Sequence, residues 1–195
     1  MNFLESQTFK NLADAFAGES QARNRYTFFA GEAGKEGLKH IQAIFEETAD
    51  NERAHAKTFY KLMVTHSGDS TDKIHVDADY PLVLKDTLTN LKAAAAGEHE
   101  EWAELYNHFG DVAEKEGYPD VAVVFHNVAT VEKHHEERFN HLAKELEEGT
   151  TFKKGSSIRW KCRNCGFIYE GTCPPQICPA CAHPQGFFEE LVANI

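Results

Sequence analysis

One acidic motif occurs twice in the first three quarters of the chain. It combines a lone glutamate with a Glu-x-x-His sequence that follows 33 or 34 positions later. The two copies are Glu19 with Glu52 and His55, and Glu98 with Glu132 and His135. A glutamate and a histidine three positions apart project from one face of an α-helix. Four such helices together supply the ligand set of di-iron and di-manganese sites in helical bundles.

A solvated helix surface is the ordinary place for a glutamate, and Glu52, Glu98 and Glu132 depart from it. Their positions in the helical repeat fall on the apolar stripe of each helix. Burying several carboxylates together requires a compensating cation, so the metal interpretation is favoured. The solvated interpretation is kept for Glu46, Glu47, Glu104, Glu114, Glu136 and Glu137. The histidines without the paired spacing are expected at the surface: His99, His108, His134 and His141.

All five cysteines lie in a short stretch near the C-terminus. Four of them form two Cys-x-x-Cys pairs, Cys162 with Cys165 and Cys178 with Cys181. Two such pairs can place four thiolates tetrahedrally around one metal, either structural zinc or a single redox-active iron. Cys173 belongs to neither pair and is predicted to be a spare thiol.

The apolar pattern predicts four helices that would position the acidic motifs. They run from near Thr8 to Gly34, from Leu38 to Ser67, from Tyr80 to Gly117, and from Tyr118 to Gly149. Apolar residues recur in alternating steps of three and four, which is typical of bundle helices. In the third helix the predicted core-facing series is Leu84, Leu88, Leu91, Ala95, Glu98, Trp102, Leu105, Phe109 and Val112.

The connection from Ser67 to Asp79 is longer than the others. A second helix of roughly 27 residues would be ~40 Å long. About 13 extended residues can span ~43 Å. The connection can therefore return along the bundle and leave the second and third helices parallel, as in single-crossover ferritin-like bundles. A surface loop is the alternative.

The character of the sequence changes after Gly149. G-T-T-F-K-K-G-S-S has the composition of a linker, and the rest is rich in cysteine, proline and aromatic residues without a helical period. The predicted division is 1–149 for a di-iron four-helix bundle, 150–157 for a linker, and 158–195 for a small domain. A domain of that size needs a metal in order to fold.

Composition excludes several functional classes. The chain has 195 residues and a formal net charge of -11, and nucleic-acid binding requires a basic surface instead. The N-terminus lacks the pattern of a signal peptide, and no apolar run is long enough to cross a bilayer. A cytoplasmic protein without nucleic-acid or membrane partners is expected.

Over nearly its whole length the chain resembles the rubrerythrin family. The resemblance rests on F-A-G-E-S-Q-A-R-N-R-Y, N-E-R-A-H, A-G-E-H-E-E-W and V-E-K-H-H-E-E-R-F, and on W-K-C-R-N-C-G-F-I-Y-E-G-T with C-P-A-C-A-H-P. It implies an all-α four-helix ferritin-like bundle with a single long crossover, followed by a rubredoxin-like metal-bound β domain. It also implies a di-iron site formed by Glu19, Glu52, Glu98, Glu101, Glu132 and His135, with His55 as an alternating ligand. A further iron would be bound by Cys162, Cys165, Cys178 and Cys181.

The implied activity is reduction of hydrogen peroxide to water, a protection against oxidative stress. Tyr26 and Tyr106 match family tyrosines near the di-iron centre. NADH would supply electrons through separate carriers, with a rubredoxin or a flavoprotein reductase as the donor. NADH itself should not bind, because no glycine-rich nicotinamide-binding turn follows a strand. A homodimer or a larger homo-oligomer is expected.

The charge of the site predicts an exchange of ligands. A ferric pair carries two more positive charges than a ferrous pair, and one further carboxylate would offset part of the difference. Glu101 follows Glu98 by three positions and shares its helix face. One iron is therefore expected to be bound by neutral His55 when reduced and by Glu101 when oxidised.

Two other functions fit parts of the pattern. The first is an iron-storage or ferroxidase protein, which the C-terminal redox domain disfavours because ferroxidase turnover needs no external reductant. The second is a binding module whose tail is a zinc ribbon. A ferric tetrathiolate site is red and a zinc site is colourless, so colour distinguishes them.

Overall fold

The computed structural model describes residues 2–71 and 73–192. The predicted domain ends at Met1 and Ile195, and Asp72 in the long connection, lie outside the described residues. The helices are α1 (Gln7–Lys35), α2 (Lys39–Ser67), α3 (Thr87–Glu100), α4 (Tyr106–Glu116) and α5 (Pro119–Glu147). A π-helical turn, Glu101–Leu105, joins α3 to α4 into one long element, so the bundle has four helical rods as predicted.

The third rod begins later than the sequence pattern predicted. α3 begins at Thr87, because the side chain of Asp86 accepts a hydrogen bond from the amide of Thr89 at 2.9 Å and caps the helix. Leu84, expected in the core-facing series, therefore precedes the helix and is 54% exposed. The predicted start near Tyr80 was wrong.

Residues 68–86 form the crossover. Among those of its residues that are described, none lies in a helix or strand. Ile74 and Val76 pack near Phe3 at the end where α2 stops. The segment ends where the amide of Thr87 bonds to Glu36, beyond the last turn of α1, at 2.9 Å. It thus traverses the length of the bundle and leaves α2 and α3 parallel, which confirms the single-crossover topology.

The π turn changes which residues face the core beyond it. The expected residues Trp102, Leu105, Phe109 and Val112 are only partly buried, whereas the fully buried residues are Tyr106, Gly110 and Ala113. A π turn holds one residue more than an α turn, so each core position moves one residue along the chain. The prediction of one continuous α-helix was wrong at this point.

Two apolar clusters occupy the two halves of the bundle. One contains the buried rings of Phe29, Phe45 and Phe139, and the other contains those of Phe59 and Phe125. The acidic residues lie between the two clusters along α2 and α5. Packed aromatic side chains thus flank the acidic residues on both sides along the bundle axis. Among the described residues, no helix combines the length and apolar character needed to cross a membrane.

The C-terminal part is a small antiparallel sheet. Its strands β1 (Ile158–Cys162), β2 (Ile168–Gly171) and β3 (Phe188–Glu190) lie in the order β2-β1-β3. Trp160 and Phe188 are buried in its core, and Cys162 pairs with Phe188 across the sheet. The predicted division of the chain at residues 149 and 157 stays a prediction.

The sheet packs on the end of its own bundle. A Cβ placed on Gly186 would lie 1.8 Å from the carbonyl oxygen of Gly37, so the contact between these turns requires glycine at position 186. His40 of α2 is buried with its ring 5.5 Å from that of Phe152. Lys154 forms an ion pair with Glu145 of α5. The interface is thus built from both apolar and charged contacts.

His40 should make this packing sensitive to acid. Its burial, together with the charges of Arg163 and Lys154, lowers the pKa of His40 from 6.5 to about 4. The imidazole of His40 is therefore neutral in the folded protein. It can take up a proton when the protein unfolds or when the sheet separates from the bundle. The contribution of His40 to the free energy of unfolding is therefore fully present above pH 6.5. It is lost as the pH drops towards 4, by roughly 3 kcal/mol at most.

The variant His40→Phe should lose this part of the acid sensitivity while keeping the ring contact with Phe152. Thermal unfolding between pH 7.5 and 4.5 measures the difference between the two proteins, which cancels the titration of other groups. His134→Phe, at an exposed position of α5, is the matched control. Parallel curves for wild type and His40→Phe would contradict the prediction.

Candidate metal centres

Six side chains converge at the middle of the bundle as two overlapping groups. The ligand atoms of one group lie within 4.8 Å of one another, and so do those of the other. The first group is Glu19, Glu52, His55 and Glu132, and the second is Glu52, Glu98, Glu132 and His135. Glu52 and Glu132 belong to both groups. The arrangement is that of two adjacent metal positions sharing two carboxylates, each with a histidine and a glutamate of its own.

The shared carboxylates face both imidazoles. The Nδ1 atom of His55 lies 2.8 Å from Oε1 of Glu132 and 3.0 Å from Oε2 of Glu52. The Nδ1 atom of His135 lies 2.7 Å from Oε2 of Glu132 and 3.3 Å from Oε1 of Glu52. Each oxygen of Glu132 thus faces a different histidine. This is the orientation of a carboxylate that bridges two ions.

Two tyrosines hold the unshared glutamates from opposite sides. The hydroxyl of Tyr26 donates to Glu98 at 2.5 Å, and that of Tyr106 donates to Glu19 at 2.5 Å. Each tyrosine lies on the rod that carries the other's glutamate. Tyr26 follows Glu19 by seven residues and Tyr106 follows Glu98 by eight. The π turn accommodates the additional residue, so the two halves of the site keep the same arrangement despite the unequal spacing.

The site has few internal hydrogen bonds for so many buried polar atoms. Glu19, Glu52, Glu98 and Glu132 are all at most 1% exposed. Among the described residues, no hydrogen-bond partner exists for six of the ligand atoms: Oε2 of Glu19, Oε1 of Glu52, Oε2 of Glu98, both oxygens of Glu132 and Nδ1 of His135. Several of these atoms approach one another closely without hydrogen-bond geometry. They are aimed at common points between them, which fits a pair of cations.

The pKa values of these groups show the effect of burying several carboxylates beside two imidazoles. Burial, and then the charge of Glu52, raises the pKa of Glu98 to about 8. Burial, and then the charge of Glu132, raises the pKa of Glu19 well above its usual range. Burial alone would lower the pKa of His135, but the neighbouring carboxylates of Glu132 and Glu52 raise it to about 12. Protons bound to these groups would compete with cations for the site, and metal binding would release them.

Glu101 lies beside the two groups rather than within them. It is the first residue of the π turn and lines a cavity of about 340 Å³ between α1, α3 and the crossover residues 77–81. Burial, followed by the charges of Glu19 and Glu98, raises the pKa of Glu101 well above its usual range. His55 therefore occupies the first group in this structure, with Glu101 at its edge.

The four paired cysteines form a third group. Their Sγ atoms lie within 4.8 Å of one another, with 3.7 Å from Cys162 to Cys181 and 3.7 Å from Cys165 to Cys178. Tetrahedral bonds of roughly 2.3 Å separate thiolates by roughly 3.8 Å, so the group has the size of a metal site. Cys173 lies outside this group, with Gln185 Nε2 at 3.5 Å from its sulfur.

One glutamate that was predicted to be solvated is partly buried instead. Glu136 is partly buried because the indole of Trp102 donates to it at 2.5 Å and His99 lies 3.2 Å away. The other five glutamates expected to be solvated are exposed, and so are the four unpaired histidines. The π turn, Glu101–Leu105, was not predicted from the sequence. Its signal was the spacing of seven against eight between each glutamate and the tyrosine that follows it.

Comparison with known proteins gives matches over both parts of the chain. The family model "Rubrerythrin" matches residues 10–143, and "Rubrerythrin, rubredoxin-like domain" matches residues 160–189. Rubrerythrin-1 of Clostridium acetobutylicum is 51% identical over 189 residues, which cover 97% of this chain and 96% of that protein. Rubrerythrin of Nitratidesulfovibrio vulgaris is 47% identical, covering 97% of this chain and 96% of the relative.

Among solved structures, nigerythrin in a mixed-valence state is similar to the complete chain. The TM-score is 0.62 at 28% sequence identity, over 98% of this chain and 94% of that one. The similarity therefore covers the bundle and the cysteine-rich sheet together, in the same order.

Proposed function

This chain belongs to the rubrerythrin family, and we propose that it reduces hydrogen peroxide to water at the di-iron site of its bundle. The family, the fold and the two kinds of iron site identify an oxidoreductase. One observation supports the proposed peroxide reduction in particular: a single chain contains two donor groups that share carboxylates and one group of four thiolates. Two irons held by the carboxylate-sharing groups would supply electrons two at a time, and a single iron held by the four thiolates would carry them one at a time.

The proposed ligands follow from the two donor groups. We propose that Glu19 and His55 bind one iron, Glu98 and His135 bind the other, and Glu52 and Glu132 bind both. The four cysteines of the third group, Cys162, Cys165, Cys178 and Cys181, are proposed to bind the single iron of the tail.

The surrounding residues suit a two-electron reduction. When bound, a ferrous pair supplies the two electrons that convert hydrogen peroxide and two protons into two molecules of water. Tyr26 and Tyr106 orient Glu98 and Glu19 by donating hydrogen bonds to them. Burial, and then the charge of a nearby glutamate (Glu98 for Tyr26, Glu101 for Tyr106), raises the pKa of each tyrosine well above 10. Both hydroxyls therefore keep their protons and act as donors throughout the neutral range.

The cavity beside Glu101 is the proposed route for peroxide. Glu101 and Tyr106 line this cavity, and the hydroxyl of Tyr106 donates to Glu19 of the first donor group. We further propose that Glu101 replaces His55 as a ligand when the iron pair is oxidised. Its carboxylate would supply negative charge that the ferric pair lacks, and its place at the edge of the donor group requires only a side-chain movement.

Electrons are proposed to reach the bundle through the tail. A single iron transfers one electron at a time, so two transfers refill the pair after each turnover. NADH is the proposed ultimate source, through a separate rubredoxin or flavoprotein reductase. The tail packs near His40, which is twelve residues from Glu52 and hence ~18 Å away along α2. This separation within one chain favours transfer to a neighbouring bundle in a homodimer or larger assembly.

Complementation between inactive chains tests that transfer. A chain with Cys162→Ser lacks a working tail, and a chain with Glu132→Ala lacks a working bundle. After unfolding and refolding as a mixture, the two should recover turnover that neither shows alone. The control is a mixture of separately refolded assemblies. Mixed assemblies that form and stay inactive would show that electrons do not pass between chains.

The proposed activity is tested by anaerobic reduction followed by mixing with peroxide. We expect three irons per chain, a red ferric tail, and oxidation of the ferrous pair by one equivalent of peroxide. Oxidation by oxygen in a parallel experiment should be much slower, whereas a ferroxidase would react readily with oxygen. A colourless tail containing only zinc would contradict the role in electron transfer.

A further inference from the structure

Arg25 is a cation buried beside the di-iron site that the mechanism above leaves without a role. It is 9% exposed, and neither Nε nor Nη1 has a hydrogen-bond partner among the described residues. A guanidinium held away from water with free donors is costly. Such a group is stabilised when a carboxylate reaches it, and the site contains one carboxylate that is proposed to move.

Arg25 and Glu101 reach across the same gap from opposite sides. A Cβ placed on Gly97 of α3 would lie 3.6 Å from Nη2 of Arg25, so the arginine side chain extends from α1 to α3. A Cβ placed on Gly18 of α1 would lie 3.9 Å from Oε1 of Glu101, so the glutamate extends from the π turn to α1. Both distances are of ordinary van der Waals length, so they locate the ends of the two side chains without requiring glycine at either position.

The Arg25 guanidinium lies about one helical turn from Glu101 along the third rod. Its Nη2 atom is at Gly97 of α3, 3.6 Å from the position of a Cβ there. Gly97 and Glu101 are four residues apart, or ~6 Å along the axis. Arg25 and Glu101 line the same cavity. Rotation of the Glu101 side chain away from Gly18 and towards Gly97 would therefore bring its carboxylate to the guanidinium.

We propose that Arg25 is a positioning residue that receives the carboxylate of Glu101 when the carboxylate leaves the iron pair. The proposal rests on the proposed exchange of Glu101 and His55. A guanidinium offers two parallel donors to a carboxylate, which suits a single defined resting position. By stabilising the displaced carboxylate, Arg25 favours the reduced state of the site. The exchange of Glu101 for His55 then does not leave the Glu101 carboxylate unpaired in the protein interior.

The reduction potential of the iron pair tests this role separately from activity. Arg25→Gln removes the receiving group, so Glu101 should stay on the metal and the ferric pair should be favoured about tenfold, or about 59 mV for a one-electron step. Removing any nearby positive charge would act in the same direction. The discriminating measurement is therefore the same substitution in a Glu101→Gln background, where only the smaller shift caused by removing the charge should remain. Arg23→Gln, on the same helix, is the control.

A structure of the reduced wild-type protein provides a second test that does not depend on a variant folding. The carboxylate of Glu101 should lie within hydrogen-bond distance of the Arg25 guanidinium. Equal shifts of potential in both backgrounds would overturn the proposal, and so would a reduced structure in which Glu101 points elsewhere. Peroxidase assays on the same samples report independently on the proposed function, because neither the potential nor the structure depends on which oxidant the protein reduces.

Discussion

Replacing Cys162 with serine is expected to reduce steady-state peroxide reduction roughly 100-fold or more. Even residues that only support a metal ligand typically change metal affinity or activity ~10–100-fold when mutated, and Cys162 is proposed to be a direct ligand. Its sulfur lies 3.7 Å from that of Cys181, and the residue is fully buried in the core of the small sheet. The serine variant should therefore lose the tail iron and its red colour.

The same variant should keep one reaction with peroxide. The bundle holds its own donor groups, and none of their residues belongs to the sheet. A chemically reduced variant should thus oxidise its iron pair once, at the wild-type rate, and then stop. Cys173→Ser is the matched control, because that thiol lies outside the four-cysteine group, and it should turn over normally. Wild-type steady-state turnover by the Cys162 variant would show that the bundle is reduced without the tail.

The repeated acidic motif was readable from the sequence because helical periodicity is a local property. The steps of three and four that place Phe45 and Phe59 in the core also place Glu52 between them, and both rings are buried in the structure. The spacing of the motif depends on near neighbours along the chain, which the sequence displays directly. The length of the connection from Ser67 to Asp79 allowed a crossover but left a surface loop as the alternative, because length limits how far a chain can reach without selecting its route.

Features that depend on contacts between distant residues could not be read in this way. The π turn at Glu101 leaves only an indirect sign in the sequence, the additional residue between Glu98 and Tyr106, and the turn is explained by the hydrogen bond from Tyr106 to Glu19 across the bundle. The packing of Gly186 on Gly37 joins residues far apart in the chain. The position of the Arg25 guanidinium near Gly97 likewise joins residues of α1 and α3. In each case tertiary geometry decides between local conformations of similar energy.

Replacing Glu132 with alanine should have the largest effect on the di-iron site. Its two oxygens lie 2.8 Å from Nδ1 of His55 and 2.7 Å from Nδ1 of His135, so one side chain serves both donor groups. Losing it should weaken the binding of each iron roughly 100-fold or more. We expect elemental analysis to give one iron per chain instead of three, with the red tail retained and no reaction with peroxide.

The comparison with the unshared glutamates makes this result specific. Glu19 and Glu98 each belong to one donor group only, so Glu19→Ala or Glu98→Ala should weaken one iron more than the other. Glu137→Ala, at an exposed position on the same helix as Glu132, is the control for the loss of a carboxylate and should retain three irons. If Glu132→Ala also retains three irons, the two groups do not share this carboxylate, and the arrangement of two ions bridged by Glu52 and Glu132 is wrong.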